Sequence, residues 1–325
     1  MHKEVVSSAG GLERIVAVDW SGRVDVAGQR RHIWAGVWTA GSAKDGAGAG
    51  KVTLEAGRTR AELIEWLIEL GRETPRMVVG IDCCFSYPAW FLEEHACSDV
   101  FAFWRQVAAG KGEEWLHRDC VDGRFWGKAG AGRLGQRPAE FCGDQMHRMM
   151  RQTDMENKIL PLREGGDAER AAKMKGITAK SPFQIGGSGS VGTGSLRAMP
   201  ALLRLREAGF RVWPFEDAAL AGGTTKAKPL VVEMYTRLLT GAVAKSNAEA
   251  RKAYLERRKK EEADGSQIWA GLSRGVMGKA LAGEDAFDAL VSALEMVRWR
   301  EEFARLRQTE DAVLRLEGVT WRPGV

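Results

Sequence analysis

A short stretch near the end of the chain, EDAFDALVSAL, combines acidic residues with an otherwise apolar helical pattern. Asp285, Asp288, Ser292 and Glu295 recur at helical spacing and form one narrow polar stripe, and nearly all the intervening residues are apolar. A helix with so thin a stripe is largely buried, and the stripe faces either water or a polar site. The N-terminal end of a helix also favours negative charge. Asp285 and Asp288 are therefore candidate catalytic residues.

Three other acids stand at or near the ends of predicted strands. Asp19 ends RIVAVD, Asp82 ends RMVVGID, and Glu233 lies within LVVEMY. Ligands of open sheets bind at the carboxyl ends of parallel strands, so parallel neighbours would bring these acids to one edge. Like charges held together need a cation, and oxygen ligands favour Mg²⁺ or Mn²⁺. Asp19, Asp82, Glu233 and Asp288 are thus candidate metal ligands, and each acid taken alone is also open to a structural role.

The elements that must position these acids follow from the hydrophobic pattern. The pattern predicts three strands, at residues 14–19, 32–39 and 51–55, whose short connections favour antiparallel pairing. A helix at residues 60–69 precedes a fourth strand at 76–82, and the helical crossover makes that strand parallel to the first. These features indicate an α/β fold with a mixed sheet.

The chain after residue 82 is predicted to complete the sheet and its helical layers. Two further strands are predicted, at residues 210–215 and 230–235. Helices are predicted at residues 89–108, 139–152, 247–263 and 284–307, and one more helix is predicted to end at about residue 208. Residues 110–180 carry glycines and charges without a clear pattern, and we interpret them as an insertion into a single domain.

Composition limits the classes of function that fit the chain. It has 325 residues and a formal net charge of +5, which suits one domain with a sizeable core. Residues 123–180 hold twelve Lys and Arg against seven Asp and Glu, so the basic excess is local and compatible with an anionic partner such as nucleic acid. There is no apolar run of membrane-span length, no secretory signal pattern and no paired CxxC spacing. We therefore expect a cytoplasmic protein.

A glycine-rich segment, SPFQIGGSGSVGTGSLR, leads into a predicted helix. Backbone N–H groups ahead of a helix N-terminus suit a phosphate. Candidate contacts to a phosphate backbone or nucleotide are Lys180, Ser188, Ser190 and Thr193. The segment lacks the GK[ST] of a P-loop, and a flexible loop closing over the site is an equal alternative. Trp20, directly after the first strand, is a candidate for stacking on a base.

In their order along the chain, these motifs resemble the ribonuclease H-like superfamily and, more narrowly, the DUF429 family of predicted nucleases. The matching features are an Asp-ended first strand in a three-strand meander, Asp82 followed by Pro88, Glu233 followed by Tyr235, and Asp288 followed by alanine. They span most of the chain outside the insertion. The resemblance implies a ribonuclease H-like mixed central sheet flanked by helices.

The resemblance also implies two-metal chemistry, in which carboxylates hold two divalent ions for phosphodiester hydrolysis. It makes Asp19 the candidate bridge between the ions, with Glu233 or Asp82 completing the sites and Asp288 as the terminal-helix acid. Asp285 takes a position that is His in some related resolvase-like nucleases, and in the sequence no histidine stands close to a core motif. The resulting hypothesis is a Mg²⁺- or Mn²⁺-dependent nuclease acting on nucleic acid.

Two alternatives from other functional classes stay open. One is a nucleotide-binding phosphotransferase or ATPase of the actin-like type, which would use the VDWSG turn and the glycine-rich segment as phosphate loops. The other is a non-catalytic protein that keeps the fold and binds a partner through the insertion.

Overall fold

A mixed β-sheet lies at the centre of the structure, a computed structural model that describes residues 11–41, 50–127, 138–139, 148–159, 179–187, 190–220, 226–261, 268–269 and 271–324. Its strands are β1 (Arg14–Asp19), β2 (Trp34–Ala40), β3 (Gly50–Glu55), β4 (Met77–Asp82), β5 (Arg211–Trp213), β6 (Leu230–Met234) and β7 (Thr320–Trp321). The spatial order is β3-β2-β1-β4-β6, and β5 and β7 both pair with β6. β2 runs antiparallel to β1 and β3, and the other pairs are parallel.

The central strands owe their position to sequences that are apolar on both faces. β1, β4 and β6 are neighbours built from β-branched residues, and their interior residues are buried. Parallel strands covered by helices on both faces have this composition. The predicted α/β class, the antiparallel meander and the parallel fourth strand are therefore confirmed.

Helices cover both faces of the sheet. They are α1 (Val26–His32), α2 (Arg60–Glu73), α3 (Ala89–Glu94), α4 (Val100–Gln106), α5 (Gly112–Leu116), α6 (Gln152–Ile159), α7 (Gly192–Glu207), α8 (Thr236–Thr240), α9 (Ala248–Glu261), α10 (Arg274–Ala282), α11 (Glu284–Arg298), α12 (Arg300–Phe303) and α13 (Leu314–Glu317), with a π-helical turn at Val107–Lys111. One apolar core lies between the sheet and α2, α3, α4, α5 and α7, and a second lies between the opposite face and α8 to α11.

Several boundaries differ from the sequence-based expectation. The helix predicted at 89–108 is divided, because Ala96 adopts a left-handed conformation with φ 52° and Asp99 then caps a new helix, α4. The final long helix ends at Arg298, where Trp299 leaves helical geometry, and a separate short helix follows. The sequence pattern does not predict α1. Most of the helix predicted at 139–152 lies outside the described residues.

Within the ranges that the structure describes, no helix has both the length and the apolar content needed to cross a membrane.

Close contact between α11 and the sheet depends on a glycine in β2. A Cβ atom placed on Gly36 would lie 2.3 Å from the Ala289 carbonyl oxygen and 3.0 Å from the Ala293 Cβ. Because real Cβ atoms do not approach backbone oxygens so closely, any larger residue would push α11 away from β2. The position of α11 is therefore set by the missing side chain at residue 36.

We expect Gly36→Ala to destabilise the protein by about 1–3 kcal/mol, the usual cost of overpacking a core. Chemical denaturation monitored by circular dichroism measures the change. Gly278→Ala is the matched control, because nothing lies within 4 Å of a Cβ at this α10 position, and helix propensity there favours alanine by about 0.5–1 kcal/mol. Equal stability of Gly36→Ala and wild type would contradict the close-packing explanation.

Candidate active site

Strand register places Asp19 and Asp82 on the same face of the sheet. Val18 pairs with Ile81 across the parallel β1 and β4, so the next residues of the two strands are neighbours at their carboxyl ends. Side chains alternate along a strand, and Asp82 also pairs with Met234, which belongs to the core on the α11 side. Both aspartates therefore extend from the sheet edge toward α11.

Helix α11 brings Asp285 and Asp288 to this edge. α11 begins at Glu284, so both aspartates lie in its first two turns. Asp288 is 3% exposed, and packing of α11 on β1 and β2 leaves it at the end of the buried face. The N-terminal end of a helix lowers the cost of such a charge.

The aspartates act on one another electrostatically. Burial and the charges of Asp288, Asp82 and Asp285 raise the pKa of Asp19 well above its ordinary value. Burial, and then the charge of Asp288, raise the pKa of Asp82 to about 6, although a hydrogen bond from Thr236 opposes the shift. Four acids that the sequence analysis selected therefore form one cluster, and its members repel each other in the absence of a cation.

A lysine supplies positive charge to this acid cluster of Asp19, Asp82, Asp285 and Asp288. Lys245 Nζ forms an ion pair with Asp288 Oδ2. Burial raises the pKa of Asp288 above its ordinary value, although the charges of Lys245 and, to a smaller extent, of Arg237 oppose the shift. The sequence analysis did not select Lys245, because it lies in the irregular turn after α8 and far from Asp288 along the chain.

A histidine also reaches the cluster. His32 Nδ1 and Asp285 Oδ2 are 2.8 Å apart, and both side chains are about one-third exposed. His32 ends α1, and α1 is the element that the sequence pattern did not predict. The expectation that no histidine lies near the core motifs is therefore wrong. Bonding through Nδ1 leaves the other ring nitrogen, Nε2, for further contacts.

Glu233 lines one small cavity together with Asp82 at the carboxyl edge of the sheet, but its side chain faces the opposite side of the sheet. It pairs in register with Ile81 and so faces the core on the α2 and α7 side, opposite to Asp82. Two nitrogens of Arg151 donate to its carboxylate at 2.6 and 2.7 Å, and Thr320 Oγ1 and the Phe85 N–H donate to it at 2.6 Å. The three strand-end acids thus share one edge of the sheet, as expected, but Glu233 faces away from Asp19 and Asp82 and its carboxylate is bonded to Arg151. Glu233 belongs to a buried ion-pair network.

Two of the residues predicted to contact nucleic acid are used by the fold. Trp20 is 8% exposed and its Nε1 donates to the Gly194 carbonyl at 3.0 Å, so its ring packs in the core and does not present a stacking surface. The Thr193 hydroxyl donates to the Ile185 carbonyl.

The other three predicted phosphate contacts differ in position. Lys180 is exposed and lines, together with Asp82 and Tyr235, a cavity of about 30 Å³. Ser190 is partly buried, and Ser188 lies outside the described residues.

The glycines of this region have a packing role. Gly22, in the turn after β1, and Gly194, in the first turn of α7, approach so closely that a Cβ on Gly22 would lie 2.7 Å from the Gly194 nitrogen. A Cβ on Gly192 would lie 2.1 Å from the Pro182 carbonyl oxygen. Backbone contact with the chain itself therefore explains these two glycines.

The acid cluster fits a hard divalent cation in its chemistry. Its ligating atoms are carboxylate oxygens, as Mg²⁺ and Mn²⁺ prefer. Asp288 Oδ1 is buried and has no hydrogen-bond partner among the described residues, and a cation would satisfy it. In the described part of the chain, no three His, Cys, Asp or Glu side chains already converge as metal ligands. Lys245 instead contacts the buried acid.

Comparison with known proteins identifies no relative of this chain: no protein-family model, no curated protein and no solved structure matches it. The resemblance described above therefore stays a prediction.

We expect Arg151→Met to destabilise the protein by about 3–5 kcal/mol, because it leaves Glu233 and Asp154 buried without a counter-charge. Thermal and urea unfolding measure the loss. Arg204→Met is the control, because the Arg204–Glu65 pair is more than half exposed and contributes little. If the two variants are equally stable, the buried ion pairs of Arg151 with Glu233 and Asp154 do not stabilise the fold as described.

Proposed function

We propose that this chain is a divalent-metal-dependent nuclease with a ribonuclease H-like fold. The observation that carries the proposal is the placement of Asp19, Asp82 and Asp288, which come from two adjacent parallel strands and from helix α11. The strand order β3-β2-β1-β4-β6, with β2 antiparallel, supports the fold assignment.

Asp19, Asp82 and Asp288 are the residues that would hold Mg²⁺ or Mn²⁺. Such ions, when bound, supply an activated water and stabilise negative charge on a phosphodiester. Asp19 is the electrostatic centre of the cluster, because the charges of the other three aspartates all raise its pKa. Thr236 fixes the carboxylate of Asp82 through a 2.9 Å hydrogen bond, so at least one ligand is oriented in advance.

His32 and Asp285 are placed to handle protons. Asp285 orients the imidazole through Nδ1, and this arrangement keeps Nε2 able to accept or donate a proton. Because the charge of Asp285 also reaches Asp19, the imidazole lies beside the acid cluster. In the proposed reaction, His32 exchanges a proton with water or with the leaving oxygen of the phosphodiester.

Positive charge near the cluster suits an anionic substrate. Lys245 and Arg237 both act on Asp288. Cations beside an acidic metal site attract a phosphate backbone, with an affinity that falls as salt rises.

The glycine-rich segment does not favour the actin-like alternative. The Gly192 N–H donates to the Gln184 carbonyl at 3.0 Å, and the Thr193 hydroxyl donates to the Ile185 carbonyl at 2.8 Å. These groups are used by the fold, whereas a phosphate loop keeps its donors free for the ligand.

The test compares wild type with Asp19→Asn on labelled single-stranded, duplex, hybrid and branched nucleic acids in Mg²⁺, Mn²⁺ or EDTA. We expect metal-dependent cleavage by wild type and a loss of at least about 10³-fold in Asp19→Asn, because one carboxylate charge that would hold the ions is removed. Asp119→Asn is the control, because Asp119 is exposed and its charge is not among those that shift the pKa of Asp19.

Absence of cleavage by wild type on every substrate would sink the nuclease proposal. If wild type bound nucleic acid without cleaving it, the non-catalytic alternative would gain support instead.

A further inference from the structure

Lys245 differs from the other cations that pair with the polar stripe of α11. Its side chain is 25% exposed, whereas the side chain of its partner Asp288 is 4% exposed. Glu295, farther along the same stripe, pairs with Arg258, and both of those side chains are almost fully buried. An ion pair in which both the arginine and its carboxylate are buried is a fixed structural contact. An ammonium at a partly open site can exchange its contacts.

The backbone that carries Lys245 is firmly held. The turn between α8 and α9 is closed by bonds from the Lys245 N–H to the Val243 carbonyl at 2.9 Å and from Arg237 Nη1 to that same carbonyl at 2.7 Å. Arg251, which is buried, donates one nitrogen to the Lys245 carbonyl and another to the Leu281 carbonyl at 2.6 Å. Hydrogen bonds therefore fix the backbone at residue 245, whereas the ammonium at the end of the side chain is held by its ion pair with Asp288.

The ammonium acts on more than one acid. Besides the ion pair with Asp288, the charges of Asp19 and Asp82 also act on Lys245. These are the three residues proposed to hold the divalent ions. One tethered positive charge thus partly neutralises the whole metal-ligand set.

We propose that Lys245 is a built-in counter-ion that occupies Asp288 in the metal-free protein, competes with the divalent cation, and moves to the substrate phosphate when the metal displaces it. This inference rests on the proposed function and adds a positioning residue to it. The physical basis is that two cations at one buried carboxylate repel each other, and the lysine has solvent on its open side. The same ammonium then becomes a contact for the phosphodiester.

The variant Lys245→Met removes the charge and keeps an unbranched apolar stem. In calorimetric titration with Mn²⁺ at one fixed pH, without nucleic acid, we expect it to bind Mn²⁺ about tenfold more tightly than wild type, because the competing cation is gone. In EDTA we expect a lower melting temperature than wild type, since the acids then repel each other without compensation. Added Mn²⁺ should raise that melting temperature more than it raises that of wild type.

Lys279→Met is the matched control. Lys279 is an exposed lysine whose Nζ donates to the Leu54 carbonyl at 2.9 Å, so its ammonium is also held by the fold but pairs with no acid of the cluster. Its Mn²⁺ affinity should equal that of wild type. If Lys245→Met does not fold, Lys245→Gln, which keeps a hydrogen-bond donor for Asp288, is used and should also bind Mn²⁺ more tightly.

The outcomes separate this inference from the nuclease proposal. Equal or weaker Mn²⁺ binding by the Lys245 variants, beside a wild type that binds Mn²⁺ and cleaves nucleic acid, overturns the counter-ion role alone. Tighter binding by the variants, beside a wild type that cleaves nothing, supports the counter-ion role and overturns the nuclease. Absence of Mn²⁺ binding by every protein overturns both.

Discussion

Repulsion among Asp19, Asp82 and Asp288 is the constraint around which this end of the sheet is arranged. Parallel pairing of β1 with β4 sets two of the carboxylates side by side, and α11 adds the third because Gly36 lets it pack tightly on β2. Packing of α11 favours this arrangement, and electrostatics opposes it. A site that concentrates like charge in this way lowers its free energy when a cation binds, which is the physical reason to connect it with metal chemistry.

The sheet divides the strand-end acids into two groups with opposite character. On one face, Glu233 is held by the bidentate guanidinium of Arg151 and by two further donors, so it is fully satisfied and fixed. On the other face, the carboxylate of Asp288 receives one lysine contact, and its second oxygen has no partner in the described residues. The first arrangement is typical of structural ion pairs. The second leaves binding capacity for a ligand.

Much of the fold follows from local sequence signals. The β-branched runs of β1, β4 and β6 and the thin polar stripe of α11 predict the sheet, its parallel core and the acids of α11. The face of the sheet that Glu233 occupies depends on the register of β4 with β6, which pairs Glu233 with Ile81 and pairs Asp82 with Met234. The partners of the acids could not be predicted. Lys245 lies in an irregular turn, and the pattern of residues 32–39 assigns His32 to a strand, whereas His32 ends α1. Likewise, the burial of Trp20 depends on a long-range contact with Gly194.

The most direct measurement is the structure of crystals grown in Mn²⁺, with anomalous diffraction data collected at the manganese absorption edge. We expect anomalous peaks in contact with Asp19, Asp82 and Asp288, and the Lys245 ammonium moved off Asp288. Glu233 should still be paired with Arg151. The absence of a peak at these aspartates in a protein saturated with Mn²⁺ would contradict the proposed metal site. A bound ion beside a Lys245 that still contacts Asp288 would contradict the proposed role of the lysine as a competing counter-ion.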